Sequence, residues 1–233
     1  SSTGKWRAKK ERRYEGREEM KPETELEEKV WRLVGAIEET WKREDHKDVY
    51  HSLVAILDAQ HDSLQLQRSE ALSLSSLFSL CFSKGGTSVM ADMFLNLGSA
   101  SDEQAAFGFN FGVALQLLDD IQDVRRDLFD GQQTVCTHFY THSPVDLERL
   151  VTKLLNFLTI VVEPADLEKL VENEENVDRV ENREKEVEKS LRKAMLNMCY
   201  SIVLKAVSKD LHLFSPAFVS QVESFCPIPF DSM

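Results

Sequence analysis

Glycine and proline are scarce, at nine and six residues in a chain of 233. That scarcity argues against an all-β protein, which needs many tight turns. No alternation of apolar and polar residues with period two persists anywhere, and no internal repeat is evident. No apolar run approaches the roughly 20 residues that span a membrane, and no signal-peptide h-region opens the chain. Positive charge is in deficit as well: 28 Lys and Arg stand against 40 Asp and Glu, a formal charge of −12. Such a chain repels the phosphate backbone, so a nucleic-acid partner is not expected, whereas a site that gathers divalent cations is. Cys81, Cys136, Cys199 and Cys226 show neither a CxxC pair nor a disulfide-like rhythm, so reduced thiols and a cytoplasmic setting are expected. Cys136, His138 and His142 lie close together, but no second ligand pair with zinc-finger spacing follows, and a zinc site is not expected there.

What the chain does have is helical periodicity. Residues 1–28 form a charged N-terminal segment, basic from Lys5 to Arg13 and then Glu-rich, while 29–233 read as one helical domain. Val30, Leu33, Val34, Ile37 and Trp41 recur at three- and four-residue steps. A second helix is expected from Val49 to about Leu66, and a third from Ser69 to Phe82, broken at Lys84-Gly85-Gly86 because paired glycines usually end a helix. Ser101 with Gln104 reads as a capping box that opens a helix running toward Gly131. Ser143-Pro144 and Ser215-Pro216 are two further starts, and the helix from Ser143 is expected to reach Val162. Residues 165–193 are densely charged with a thin apolar stripe that ends at Val187 and Leu191, which reads as an exposed insert or hairpin. Met195 to Val207 is an apolar helix. The fold class is all-α.

The chemistry concentrates between Phe107 and Asp127. On a helix Asp119, Asp123 and Asp127 stand at i, i+4 and i+8, a carboxylate ladder on one face, and Asp120 adds to the charge. Like charges at that spacing destabilise a bare helix. They make sense around a hard divalent cation such as Mg²⁺, which takes one or two carboxylates, waters and substrate phosphate. Arg125 and Arg126 supply donors suited to diphosphate oxygens. Gly108 and Gly112 leave one face of the helix bare, with room for an apolar ligand. The alternative is a solvated acidic helix end paired to Arg125 and Arg126.

The string Gly112-Val-Ala-Leu-Gln116-Leu-Leu-Asp119-Asp120-Ile-Gln-Asp123 resembles the second aspartate-rich segment, G-x-x-x-Q-x-x-D-D-x-x-D, of trans-prenyl diphosphate synthases. Asp119 to Asp127 also resembles the N-D-x-x-S-x-x-K/R-E metal motif of class I terpene cyclases, with Arg126 at the basic position and Asp in place of the Asn, Ser and Glu. Both families belong to the class I isoprenoid synthases. The resemblance covers about residues 50–135 and is specific only in the Asp segment. It implies an α-helical bundle, commonly dimeric, that acts on a prenyl diphosphate with Mg²⁺. Asp119, Asp120, Asp123 and Asp127 would be the metal-binding set, and Arg126 with Lys84 would neutralise the leaving group. Gln116, Gly112 and Arg125 would contact substrate, and Phe107, Phe111 and Leu115 would line the apolar pocket for the carbocation. The Thr that usually follows such a lysine is Gly85 here. The family's first aspartate-rich motif has one candidate, Asp58 with Asp62, at a separation from Asp119 shorter than the family's. If the chain acts alone, Asp58 or Asp62 should face Asp119 or Asp123 across a cavity. If it does not, the chain is a non-catalytic homologue or an assembly subunit.

Overall fold

The computed structural model describes residues 24–67, 70–163 and 179–224. Most of the charged N-terminal segment, much of 165–193 and Cys226 lie outside the described residues. Those described form nine α-helices, two 3₁₀ turns and no strand, as the sequence led us to expect. We number the helices α1 Glu25–Thr40, α2 Lys47–Ser63, α3 Leu74–Leu97, α4 Asp102–Gln122, α5 Val124–Asp130, α6 Val135–His142, α7 Pro144–Val162, α8 Arg179–Lys209 and α9 Pro216–Glu223. No helix is long and apolar enough to cross a membrane among the described residues.

Of the three expected starts, Ser101 and Ser215 are built by their own side chains, while Ser143 precedes its helix without a side-chain cap bond. Ser101 Oγ accepts from Gln104 N at 3.2 Å while Gln104 Oε1 accepts from Ser101 N at 2.9 Å, so two otherwise unpaired donors are satisfied. Ser215 Oγ accepts from Phe218 N at 3.3 Å, with Pro216 in the first turn of α9. α7 runs from Pro144 to Val162 and buries Leu147, Leu150, Val151, Leu154, Leu158 and Val162, a stripe at helical spacing. That stripe meets Val113, Ala114, Leu117, Leu118 and Ile121 of α4 and Cys199, Val203 and Val207 of α8 in the main core. A smaller cluster of Val49, Tyr50 and Phe94 ties α2 to the end of α3. There Trp41 Nε1 donates to Leu95 O at 2.9 Å, and its ring covers Gly98, the left-handed cap of α3.

Three expectations are corrected. The Gly85-Gly86 pair does not break the chain, because α3 runs unbroken from Leu74 to Leu97. The cause is the neighbouring helix. A Cβ on Gly85 would collide with the Gly112 carbonyl and lie 2.5 Å from Gln116 Cβ, and one on Gly112 would strike the Gly85 carbonyl. Gly86 is pressed in the same way by the Phe109 ring. Each glycine costs about 1 kcal/mol of helix propensity, and the backbone-to-backbone packing offsets it. The second correction is at Asp123, with φ −103° and ψ 6°, which divides the expected long helix into α4 and α5. Its N–H still reaches Asp119 O at 3.0 Å and Asp127 N reaches Asp123 O at 2.8 Å, so the chain kinks without losing its hydrogen bonds. At the other end of the chain, the helix expected from Met195 begins at Arg179 instead, and Val187 and Leu191 are exposed on it.

The packing assigns opposite signs to two glycine substitutions. Gly112→Ala should lower stability by about 1–3 kcal/mol or more, because α3 and α4 must separate. A Cβ on Gly35, in the middle of α1, would meet no atom of another described residue within 4 Å. Gly35→Ala should therefore stabilise by about 0.5–1 kcal/mol. Urea denaturation midpoints compare the two, and a Gly112→Ala protein as stable as the parent would rule out the close crossing.

Candidate functional site: the acidic end of α4

The α3–α4 crossing fixes the site because the two helices run antiparallel in a defined register. Met93 and Met90 lie against Gly108, and Gly85 and Val89 lie against Gly112. Gly85 also meets Gln116, and the Cys81 thiol abuts Asp120. Gly108, Gly112, Gln116 and Asp120 thus form one i, i+4 row that faces α3. The face expected to be bare for a ligand is filled by α3, because only residues without a side chain admit a helix so near.

This row divides the four aspartates. Asp120 is drawn inward and is 6% exposed, while Asp119, one residue earlier, is exposed. Gln116 Nε2 donates to Asp120 Oδ1 at 2.8 Å. Burial pushes the Asp120 carboxyl up to about 6, helped by the charges of Asp127 and Asp119, while the Gln116 hydrogen bond and Lys84 oppose the rise. Cys81 and Cys136 lie beneath it, both buried, and burial and then the Asp120 charge raise both thiols far out of the reactive range. Among the metal residues expected from the sequence, Asp120 is therefore the buried one, bonded to Gln116.

Asp127, on α5 beyond the kink, is 8% exposed, and its carboxyl too is pushed up to about 6. Burial is the largest cause, followed by the charges of Asp123 and Asp119, and Lys84 and Arg126 only partly compensate. Asp123 is half-exposed at the kink. Arg126 reaches Asp123 Oδ2 at 4.0 Å and Asp130 Oδ2 at 3.8 Å from an exposed position, so these contacts are weak. Lys84 is half-buried on α3, and its charge favours the ionised form of both Asp120 and Asp127. The structure therefore brings Asp119, Asp120, Asp123, Asp127, Gln116, Lys84 and Arg126 to one end of the bundle.

Other expected site residues go elsewhere. Arg125 points to Asp210, with its Nη1 donating to the buried Oδ1 at 3.1 Å, and so fastens α5 to the end of α8. Phe107 and Phe111 stack with centroids 5.7 Å apart, the Arg192 guanidinium lies over Phe107, and Phe111 and Leu115 pack on the main core. None of them lines the depression of about 290 Å³ bounded by Val145, Glu148, Arg149, Thr152, Lys153 and Phe218. Asp58 is half-buried and Asp62 exposed on α2, which packs chiefly on α3. The charges that shift Asp120 and Asp127 are those of Lys84, Arg126 and neighbouring aspartates of their own segment.

Oxygen donors of this kind suit a hard cation. The uncompensated repulsion of Asp127 by Asp123 and Asp119 is a deficit that Mg²⁺ would relieve. Among the described residues, no three His, Cys, Asp or Glu side chains converge as a ready ligand set. The Cys81 contact with Asp120 was not legible in the sequence, since it arises only from the register of the crossing.

In the absence of divalent ions this site should make stability depend on pH. The folded-state carboxyls of Asp120 and Asp127, at about 6, lie above their ordinary value of 3.8. Their contribution is complete below pH 3.8 and is lost as pH rises through about 6. For Asp120 the loss is on the order of 3 kcal/mol. Urea unfolding at several pH values across this window should show a shallower loss in Asp120→Asn than in the parent, and identical slopes would contradict the burial of this carboxyl. Comparison of the chain with protein-family models, curated proteins and solved structures finds no match, so the functional reading rests on these residues alone.

Proposed function

We propose that this chain is a Mg²⁺-dependent protein of the class I isoprenoid synthase type that binds a prenyl diphosphate at the acidic end of α4. The observation that carries the reading is Lys84, half-buried on α3 and acting on both Asp120 and Asp127 across the glycine crossing. A cation beside a group of carboxylates is the mixed pattern that a metal–diphosphate needs, with anionic ligands for the ion and a donor for the phosphate oxygens. Asp119 and Asp123, on the solvent side, would hold the metal together with Asp127. When bound, Mg²⁺ would supply the charge that steadies the departing diphosphate. Lys84 and Arg126 add donors to the same oxygens, and Asp120, bonded to Gln116 on its own helix, meets the Cys81 thiol of α3. The reaction so read is ionisation of an allylic diphosphate to a carbocation that is cyclised or quenched, or extended by a second prenyl unit.

A second reading has its own observation. Gly108 and Gly112 are covered by α3, and Phe111 and Leu115 belong to the packed core. This favours a helical subunit that binds diphosphate and leaves turnover to a partner. Calorimetry with Mg²⁺ and inorganic diphosphate tests the shared part of both readings. Asp123→Ala and Lys84→Gln should each weaken binding about tenfold, the loss of one charge-assisted contact. Equal heats in parent and variants would refute the site. Incubation with C10 to C25 prenyl diphosphates and Mg²⁺ separates the two readings, since products support the enzyme and binding without products supports the subunit.

A further inference from the structure

We propose that His138 and His142, stacked at the surface end of α6, form a two-imidazole chelate for a divalent first-row transition ion. The site is separate from the acidic end of α4 and does not depend on the reading given for it. Positions i and i+4 lie one above the other on a helix, and these two rings stand with centroids 4.4 Å apart and planes inclined by 19°. A metal about 2.0–2.1 Å from each nitrogen needs the two lone pairs to converge, so the stacked rings must rotate about their side-chain bonds to close on the ion.

Hydrogen bonding fixes the form of one ligand. His142 Nδ1 lies 2.9 Å from the His138 carbonyl oxygen. A carbonyl only accepts, and the Thr141 hydroxyl, also 2.9 Å from Nδ1, has the Thr137 carbonyl as its own acceptor, so the arrangement suits a proton on Nδ1 and a lone pair on Nε2. Metal-bound histidines are oriented in this way, with the far ring nitrogen donating to a backbone carbonyl. His138 is held edge-on by Phe139, with ring centroids 6.0 Å apart. It is half-buried beside His142. His142 is the last residue of α6, where the helix dipole favours a cation.

The donor chemistry selects the ion. Imidazole nitrogen suits Cu²⁺, Ni²⁺ and Zn²⁺, and Cu²⁺ binds tightest in that series, whereas Mg²⁺ prefers the oxygens of the other site. Cys136, close in sequence, is not a third ligand. It is fully buried, and its position two residues before His138 sets it on the opposite side of the helix. Water completes the coordination sphere.

The test uses the full chain with reduced thiols. At one equivalent of Cu²⁺, the electron paramagnetic resonance spectrum of the parent should show coupling to two nitrogens. Zn²⁺ calorimetry should give one site that is unaffected by excess Mg²⁺. His142→Gln retains an amide that can donate to the His138 carbonyl but removes the imidazole lone pair, and His138→Asn removes the other ring. Each should abolish the two-nitrogen signal and weaken Zn²⁺ binding about tenfold or more. His46→Gln and His212→Gln should leave both readouts unchanged. Two-nitrogen coupling that survives in His142→Gln, or that disappears in His46→Gln or His212→Gln, would overturn the assignment.

Discussion

Everything at the acidic end of α4 depends on a contact between two glycines. With a side chain at either Gly85 or Gly112, each backbone would be held off the other by the width of a methyl group. Interhelical distance follows the side chains at the contact, and glycine on both sides gives the closest approach available. That approach does more than add dispersion energy. It sets the register in which Cys81 meets Asp120 and Lys84 comes within electrostatic reach of Asp120 and Asp127. The site is therefore a product of packing, and its electrostatics are inherited from a steric fact.

The crossing also explains why four aspartates close together in sequence behave differently. A helix turns about 100° per residue, so Asp119 and Asp120 fall on different faces. Asp120 belongs to the row that begins with Gly108 and Gly112, and it is desolvated because that row faces α3. Its compensation comes from Gln116 and Lys84, one on its own helix and one across the crossing. Asp119 and Asp123 keep contact with solvent and are the ones able to exchange water for an ion. Asp127 stands between these extremes, since the kink at Asp123 carries it onto α5 while leaving it within reach of the other charges. The Arg125–Asp210 pair holds that kinked segment to the end of α8.

The sequence was legible where structure is decided locally. Ser101 with Gln104 and Ser215 with Pro216 announce helix starts because the bonds they make span three residues. The α7 stripe was legible because its spacing matches one helical face. Failures came where the deciding partner is distant in the chain. The Gly85-Gly86 pair carries the local signature of a break, and only Gly112, Gln116 and Phe109 convert it into a contact surface. Arg125 has the chemistry of a diphosphate ligand, yet Asp210 claims it. The acidic constellation itself falls at one end of the bundle, as one short run of the chain must. Its internal division was not legible, because a motif read as a string does not say which of two adjacent carboxylates faces a neighbouring helix.

That division bears on how much of a metal site one helix can provide. A Mg²⁺ ion demands near-octahedral oxygen coordination, and carboxylates on a single helix approach it from one side only. With Asp120 turned inward, the solvent-side donors are Asp119 and Asp123, joined by Asp127 only when it is ionised. The α2 carboxylates, Asp58 and Asp62, sit on a helix that packs chiefly on α3. The remaining coordination must then come from water, from the diphosphate itself, or from an acidic element brought against this end of the bundle. Water and diphosphate suffice to bind the ion with its substrate. Holding the ion in a fixed position while a bond breaks is a stricter requirement, because electrostatic stabilisation of a departing group depends on preorganised geometry. On the proposed reading, binding and turnover would thus be separable, and the buried row on α4 would support the first whether or not the second is completed by another element.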